Sequence, residues 1–229
     1  MEYSQVQKIA KQTILYIKEV IKPGMRLTDI RKICEDKMLE LGADSFWYWD
    51  VGAFCFAGDE TTISVSGTKY KTSERVISEN DIITIDLSPQ NADIWGDYAR
   101  TIIVENGYVV QNIDDISNKE WKSGLQMEEK LHREMKSFIT RDTTFEDLYF
   151  HMNDYIVKNG YINLDFLGNL GHSIVKDKAD RVYIEKGNKT KLSEVKLFTF
   201  EPHISIEGSV YGYKKENIYF FQGDKLLEL

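Results

Sequence analysis

Three acidic side chains stand where acids are costly. Asp86 ends the apolar run of DIITIDL, Glu201 follows the run LFTF, and Glu216 leads into the aromatic run of ENIYFF. A bare carboxylate taken out of water costs several kcal/mol unless a cation or a donor compensates it. A fourth acid, Asp97, follows Asp86 in the next strand-like segment, and His172 lies in GNLGHSI. Read singly, each acid fits equally well as a surface residue at a strand end. Read together, they need a common explanation. Two divalent cations balance four carboxylates, and one imidazole adds a neutral nitrogen ligand. Such an oxygen-rich set suits Mn2+, Co2+ or Fe2+ and admits Zn2+. Two cations lower the pKa of a shared water and polarise a carbonyl, which is hydrolytic chemistry.

The elements that must bring these residues together follow from periodicity. Residues 4 to 22 read as a helix, with Val6, Ile9, Ile14, Ile17 and Ile21 at helical spacing and Pro23-Gly24 ending it. Thr28 is the expected N-cap of a second helix that runs to about Leu41 and stops at Gly42. Phe54–Phe56, Thr62–Val65, Ile82–Ile85 and Thr101–Val104 read as strands. Helices return at Glu120–Phe138 and after Thr144, the latter ending at Gly160; strands follow at Val182–Ile184, Leu197–Phe200 and Ile218–Phe221. The order helix-helix-strands therefore occurs twice. At a shift of 118 residues, Leu27, Ile30, Cys34, Met38 and Gly42 overlay Phe145, Leu148, Met152, Ile156 and Gly160. The acids repeat at nearly the same shift, Asp86 with Glu201 and Asp97 with Glu216. The expected fold is α+β: two halves related by a pseudo-two-fold axis and sharing a curved antiparallel sheet. With no Pro/Gly/Ser-rich linker between the halves, residues 1–229 read as one domain.

Composition narrows the partners. The 229 residues carry a formal net charge of -8, and no basic run interrupts it. Phosphate backbones are repelled by such a chain, which argues against nucleic acid. The N-terminal segment is charged throughout, so neither a signal peptide nor a membrane span is expected. Cys34 and Cys55 form no CxxC pair and read as reduced thiols in a cytoplasmic protein.

With these segments in this order, the chain resembles the pita-bread metallopeptidases: methionine aminopeptidase, aminopeptidase P, prolidase and creatinase. IKPGMRLTDI is similar to their helix-turn-helix opening. DIITIDLSP and GDYARTI resemble the segments of the first two aspartates, and the Arg100-Thr101 pair matches too. GNLGHSI resembles the segment of the metal histidine, and FTFEPHI and YGYKKENIYFF those of the two glutamates. The resemblance runs over nearly the whole chain and is to the catalytic domain alone. It implies that Asp97 and Glu216 bridge two metals, that Asp86 completes one and His172 with Glu201 the other, and that Glu201 shuttles the proton of a metal-bridging hydroxide. It implies no further cofactor.

The sequence also departs from the family's pattern. A substrate histidine is expected 17 to 20 residues before Asp86, where Ser66-Gly67-Thr68-Lys69 stands; a second is expected about seven residues after His172, where Ala179 sits within KDKADR. Ala99 replaces a threonine. His203, two residues beyond Glu201, shares its face in an extended strand and is the candidate replacement imidazole, as acid/base or substrate ligand. Lys69 reads as a solvated lysine rather than an oxyanion donor. His132 and His151 read as structural, and Trp47, Trp49 and Trp95 as pocket wall or core. The expected activity is that of an Xaa-Pro aminopeptidase or prolidase on a small peptide or amide. The alternatives are a creatinase-like enzyme acting on a non-peptide metabolite, and a non-catalytic binding module on the same fold. The expected partner is the small substrate, with a homodimer compatible.

Overall fold

The computed structural model describes residues 1–229. In α1 (Tyr3–Val20), Val6, Ile9, Ala10, Thr13, Ile14 and Ile17 form one buried stripe. The helix stops ahead of Pro23, because a residue before proline is pushed out of the helical region. α2 (Leu27–Glu40) starts one residue before the expected cap, and Arg26 rather than Thr28 takes the cap position. Fully buried Leu27 fixes that start, and its N–H donates to the Arg75 carbonyl at 2.9 Å. A neighbouring backbone satisfies the first turn, so no side-chain cap is needed.

Seven strands follow: β1 (Ser45–Phe46), β2 (Ala53–Ala57), β3 (Asp81–Leu87), β4 (Pro89–Asn91), β5 (Ile94–Trp95), β6 (Tyr98–Glu105) and β7 (Tyr108–Val109). The second half opens with α3 (Lys119–Phe138), capped by Asn118, and α4 (Phe145–Lys158), capped by Thr144 and Asp147 in a capping box. Its strands are β8 (Tyr161–Asn163), β9 (Phe198–Phe200), β10 (His203–Ile206), β11 (Gly212–Lys214), β12 (Asn217–Gln222) and β13 (Lys225–Glu228). The expected repeat is visible in α2 and α4: the first runs from Leu27 to Glu40, the second from Phe145 to Lys158, and a left-handed glycine, Gly42 or Gly160, follows each.

All strand pairs are antiparallel, in the orders β2-β3-β6-β7, β11-β10-β8, β13-β12-β9 and β1-β4-β5. The interruptions between β9 and β10 and between β11 and β12 fall at Glu201-Pro202 and Lys215-Glu216. Two expected strands are not formed. Residues 58–62 make a short 3-10 turn and 63–66 are irregular. Thr61 and Thr62 hydroxyls donate back to the Gly58 and Asp59 carbonyls, and such local bonds compete with a ladder. Residues 182–184 meet 171–173 through the isolated His172–Tyr183 bridge, two flanking backbone hydrogen bonds and one from the Val182 N–H to the Ser173 hydroxyl, too little for a strand.

Period-two alternation in β3 and β6 decides what faces the centre. Ile83, Ile85, Ile102 and Val104 pack with α1 and α2 in one core. Ile82 and Ile103 point the other way, into a second core built on α3 and α4. Asp86 shares the parity of Ile82, and Asp97 that of Ile103, so both acids face the second half.

Candidate metal centre

First-half side chains clamp the backbone of one acid in each half, Asp97 and Glu216. The Gln7 side chain, on the buried face of α1, donates to the Asp97 carbonyl at 2.7 Å and accepts from the Asp97 N–H at 3.0 Å. Arg100 donates to the Glu216 carbonyl at 2.7 Å and to the Asn217 side chain at 2.6 Å. His172 depends on Gly171, whose φ is +141° and whose missing Cβ would sit 2.4 Å from the Thr199 carbonyl oxygen. That close approach lets the His172 N–H donate to Thr199 Oγ1 at 3.0 Å, while the Thr199 N–H donates to the His172 carbonyl at 2.7 Å.

The five side chains expected to converge do converge. Donor atoms of Asp97, His172 and Glu216 lie within 4.8 Å of one another, as do those of Asp86, Glu201 and Glu216. His172 Nδ1 lies 3.1 Å from the Ser173 carbonyl, which only accepts, so Nδ1 carries the proton. The Nε2 lone pair therefore faces Asp97 Oδ2 and Glu201 Oε1, each 3.6 Å away. A metal-binding imidazole is oriented in this way. Burial, aided by the Arg181 charge, lowers the His172 pKa to about 3, so the ring is neutral at pH 7.

Electrostatics at the cluster are unbalanced. Glu216 is 0% exposed, and neither of its carboxylate oxygens has a partner. Burial first, then the Asp97 and Glu201 charges, pushes its carboxyl well above the usual range. Asp97 is raised in the same way by burial and by Asp86 and Glu201, and Glu201 chiefly by burial. Buried carboxylates without donors, facing an imidazole lone pair, fit a divalent cation. Sequence reading missed one cation already there: Lys214 Nζ lies 2.6 Å from Asp86 Oδ2 and 3.2 Å from Glu201 Oε2. Burial opposes its charge, but the two carboxylates outweigh burial and hold its pKa well above the ordinary value. Its position two residues before Glu216 is the signal that could have found it, by the same i, i+2 logic that singled out His203.

A cavity of about 150 Å³ opens onto the cluster, walled by Trp47, Tyr48, Phe54, Phe56 and Tyr183. His203 reaches it as expected, but its Nε2 is held 2.7 Å from the Thr61 carbonyl, and burial lowers its pKa to about 4. Arg181, within the charged stretch 176–181, also lines the cavity. Its guanidinium stands 4.7 Å above the Trp47 ring with no carboxylate in ion-pair range. Trp95 packs against Trp47, their ring centroids 4.2 Å apart, whereas Trp49 is 64% exposed and off the cavity. His132 bonds Tyr219 and the Lys215 carbonyl, His151 pairs with Glu134, and Lys69 is exposed, as read from sequence.

Comparison with known proteins places the family and the fold. The model of metallopeptidase family M24 matches residues 2–222. A methionine aminopeptidase of Helicobacter pylori is 26% identical over 208 residues, covering 86% of this chain and 76% of the relative. One from Clostridium perfringens is 22% identical over 205 residues, covering 87% and 76%. Among solved structures, an X-Pro aminopeptidase from Thermotoga maritima superposes with a TM-score of 0.80 at 19% identity, over 99% of this chain and 59% of that one. A Bacillus anthracis Xaa-Pro dipeptidase gives 0.78 at 19%, over 99% and 58%. The chain thus spans less than two thirds of those solved proteins, and the likeness to them shows the fold. No helix is long and apolar enough to cross a membrane.

Proposed function

The chain belongs to metallopeptidase family M24, and from that membership we propose that it is a metal-dependent hydrolase cleaving a small peptide or amide of the Xaa-Pro kind. Asp86, Asp97, His172, Glu201 and Glu216 are the proposed ligand set, for Mn2+, Co2+ or Fe2+ with Zn2+ admitted. Glu216 carries this reading: its two carboxylate oxygens are fully buried with no hydrogen-bond donor against them, a demand that a cation meets. A divalent ion held there polarises a carbonyl and acidifies a water. Glu201 is the proposed proton carrier. Lys214 occupies its Oε2, which leaves Oε1 to take a proton from the attacking water and return it to the departing amine. Burial holds its carboxyl above the usual range, which keeps the protonated form within reach.

His203 serves as a substrate ligand rather than a proton carrier in this reading. Its ring is neutral at pH 7, and with Nε2–H given to Thr61, Nδ1 remains as an acceptor. Arg181 is free to take an anionic group of the substrate, such as a terminal carboxylate. The cavity of about 150 Å³ is small beside the roughly 300 Å³ where ordinary ligand sites begin, and this favours a dipeptide-sized substrate. The same smallness, with Arg181, supports the second reading: a creatinase-like enzyme acting on a compact, anionic, non-peptide amide.

Protein loaded in turn with Mn2+, Co2+, Fe2+ and Zn2+ tests the proposal against Xaa-Pro dipeptides, their C-terminal amides and tripeptides. Release of the N-terminal amino acid from free dipeptides, with kcat/KM roughly tenfold or more lower for the amides, is the expected result. No release with any metal rejects peptidase activity.

A further inference from the structure

The two ligand groups differ in one respect. Asp97, His172 and Glu216 face one another with no cation among them, and Glu216 is left without any partner. In the other group, Asp86 and Glu201 already share a cation, because Lys214 Nζ lies against both, at 2.6 Å and 3.2 Å. This ammonium is not a mobile surface charge. The Lys214 side chain is 19% exposed, and its backbone is fixed on both sides. Its N–H donates to Thr101 Oγ1 at 2.9 Å, its carbonyl accepts from the same hydroxyl at 3.2 Å, and β11 pairs it with His203 of β10. No other acid lies within ion-pair distance of it.

The geometry points to a centre that holds one divalent ion, at Asp97, His172 and Glu216, with the Lys214 ammonium as a built-in substitute for a second ion between Asp86 and Glu201. Charge counting supports the division. Four carboxylates and one ammonium leave a net charge of -3. One divalent ion brings the cluster to -1. A second makes it +1 and sets two like charges against each other at a buried site, where attraction and repulsion are least screened. A second ion would also have to displace Lys214 from Asp86, stranding a buried ammonium. An ammonium neutralises its carboxylates but offers no open coordination position, so in this chain Lewis-acid chemistry belongs to one side of the cluster only. Glu201 is thereby held by Lys214 on Oε2, while its Oε1 takes only a long bond, 3.4 Å, from the Thr199 hydroxyl.

This inference rests on reading the cluster as a metal centre, and the test separates the two. Apo-protein is titrated with Mn2+ alone. Bound metal is counted after desalting, and the spin state is read by electron paramagnetic resonance. Saturation at one Mn2+ per chain with an uncoupled six-line spectrum is expected, and Lys214→Met should saturate at two with a spin-coupled spectrum. Two coupled ions in the unaltered protein would overturn the inference and leave the metal centre standing. No bound Mn2+ at all would overturn both. One ion in both proteins would also overturn it, since Lys214 would then not be what excludes the second. Should Lys214→Met fold poorly by circular dichroism, Lys214→Gln, which keeps polarity without charge and is one atom shorter, gives the same reading.

Discussion

Glu128 shows how far burial reaches beyond the ligands. It stands on α3, 4% exposed, and accepts from the Thr101 hydroxyl at 2.8 Å; that same hydroxyl fixes the Lys214 backbone. Burial raises its pKa to about 7, with the Thr101 bond working against the rise. The folded state therefore binds this proton more tightly than the unfolded chain does, whose value is about 4.3. The stabilisation is complete below that value and is lost as pH climbs through about 7. Glu128→Gln keeps an acceptor for Thr101 and removes the titration. In urea unfolding its advantage over the unaltered protein should grow from about 1 kcal/mol near pH 5 to more than about 3 kcal/mol at pH 8. A difference that stays the same across that range would show that Glu128 does not titrate there. Nothing in KLHREM or LQMEEK announces this residue, since Glu128 and Glu129 are alike in sequence and only packing separates the buried acid from the half-exposed one. The same limit applies at the cluster. Asp86 and Glu201 are legible because they sit against apolar runs. Arg181 is not, because its role depends on Trp47 meeting it from a distant segment.

At the scale of elements, the helices were legible and the connections less so. Apolar spacing located all four helices to within a few residues, and Thr144 caps α4 as its sequence suggests. Thr28 does not cap α2, because the Arg75 carbonyl, some fifty residues away, does that work. The Thr62–Val65 run has strand-like residue types but borders the cavity, where threonine hydroxyls turn the chain locally. The fit of α3 onto β11 is a further property that only packing reveals. A Cβ on Gly124 would lie 2.1 Å from the Tyr213 ring, whose other surroundings are fully buried. Gly124→Ala must therefore push α3 from β11, the strand that carries Lys214. Overpacking of this kind costs typically 1–3 kcal/mol, against which the helix propensity of alanine returns about 1. A net loss of about 1 kcal/mol or more is expected in denaturant unfolding. Equal or greater stability of Gly124→Ala would mean that the ring has room to move.

At the scale of the whole molecule, the repeat and the centre belong to one argument. Each half has its own core, one on α1 and α2 and one on α3 and α4, and strands β3 and β6 contribute to both. A smaller apolar cluster of Trp47, Trp95, Ile174, Leu197 and Ile218 joins the halves. The first half supplies Asp86 and Asp97, the second His172, Glu201, Glu216 and Lys214. In the absence of metal this junction gathers four carboxyl groups around one ammonium, and their mutual repulsion and burial hold protons on them that a metal would displace, so the place where the halves meet is also where the molecule is electrostatically strained. A ligand that binds only the folded state adds RT ln(1 + [L]/Kd), about 2.7 kcal/mol at one hundred times Kd. For a chain of this size that corresponds to a rise of roughly 5–10 °C in Tm. Because the ligands are drawn from both halves, the gain should be shared. Hydrogen exchange on adding Mn2+ should slow in the amides of β3 and β6 and also in those flanking His172 and Glu216. If protection increased in one half alone, the ion would be held by that half, and the junction would not be the metal site. Slowing on both sides, lost together in Glu216→Gln, would tie metal, repeat and stability to the same buried carboxylate.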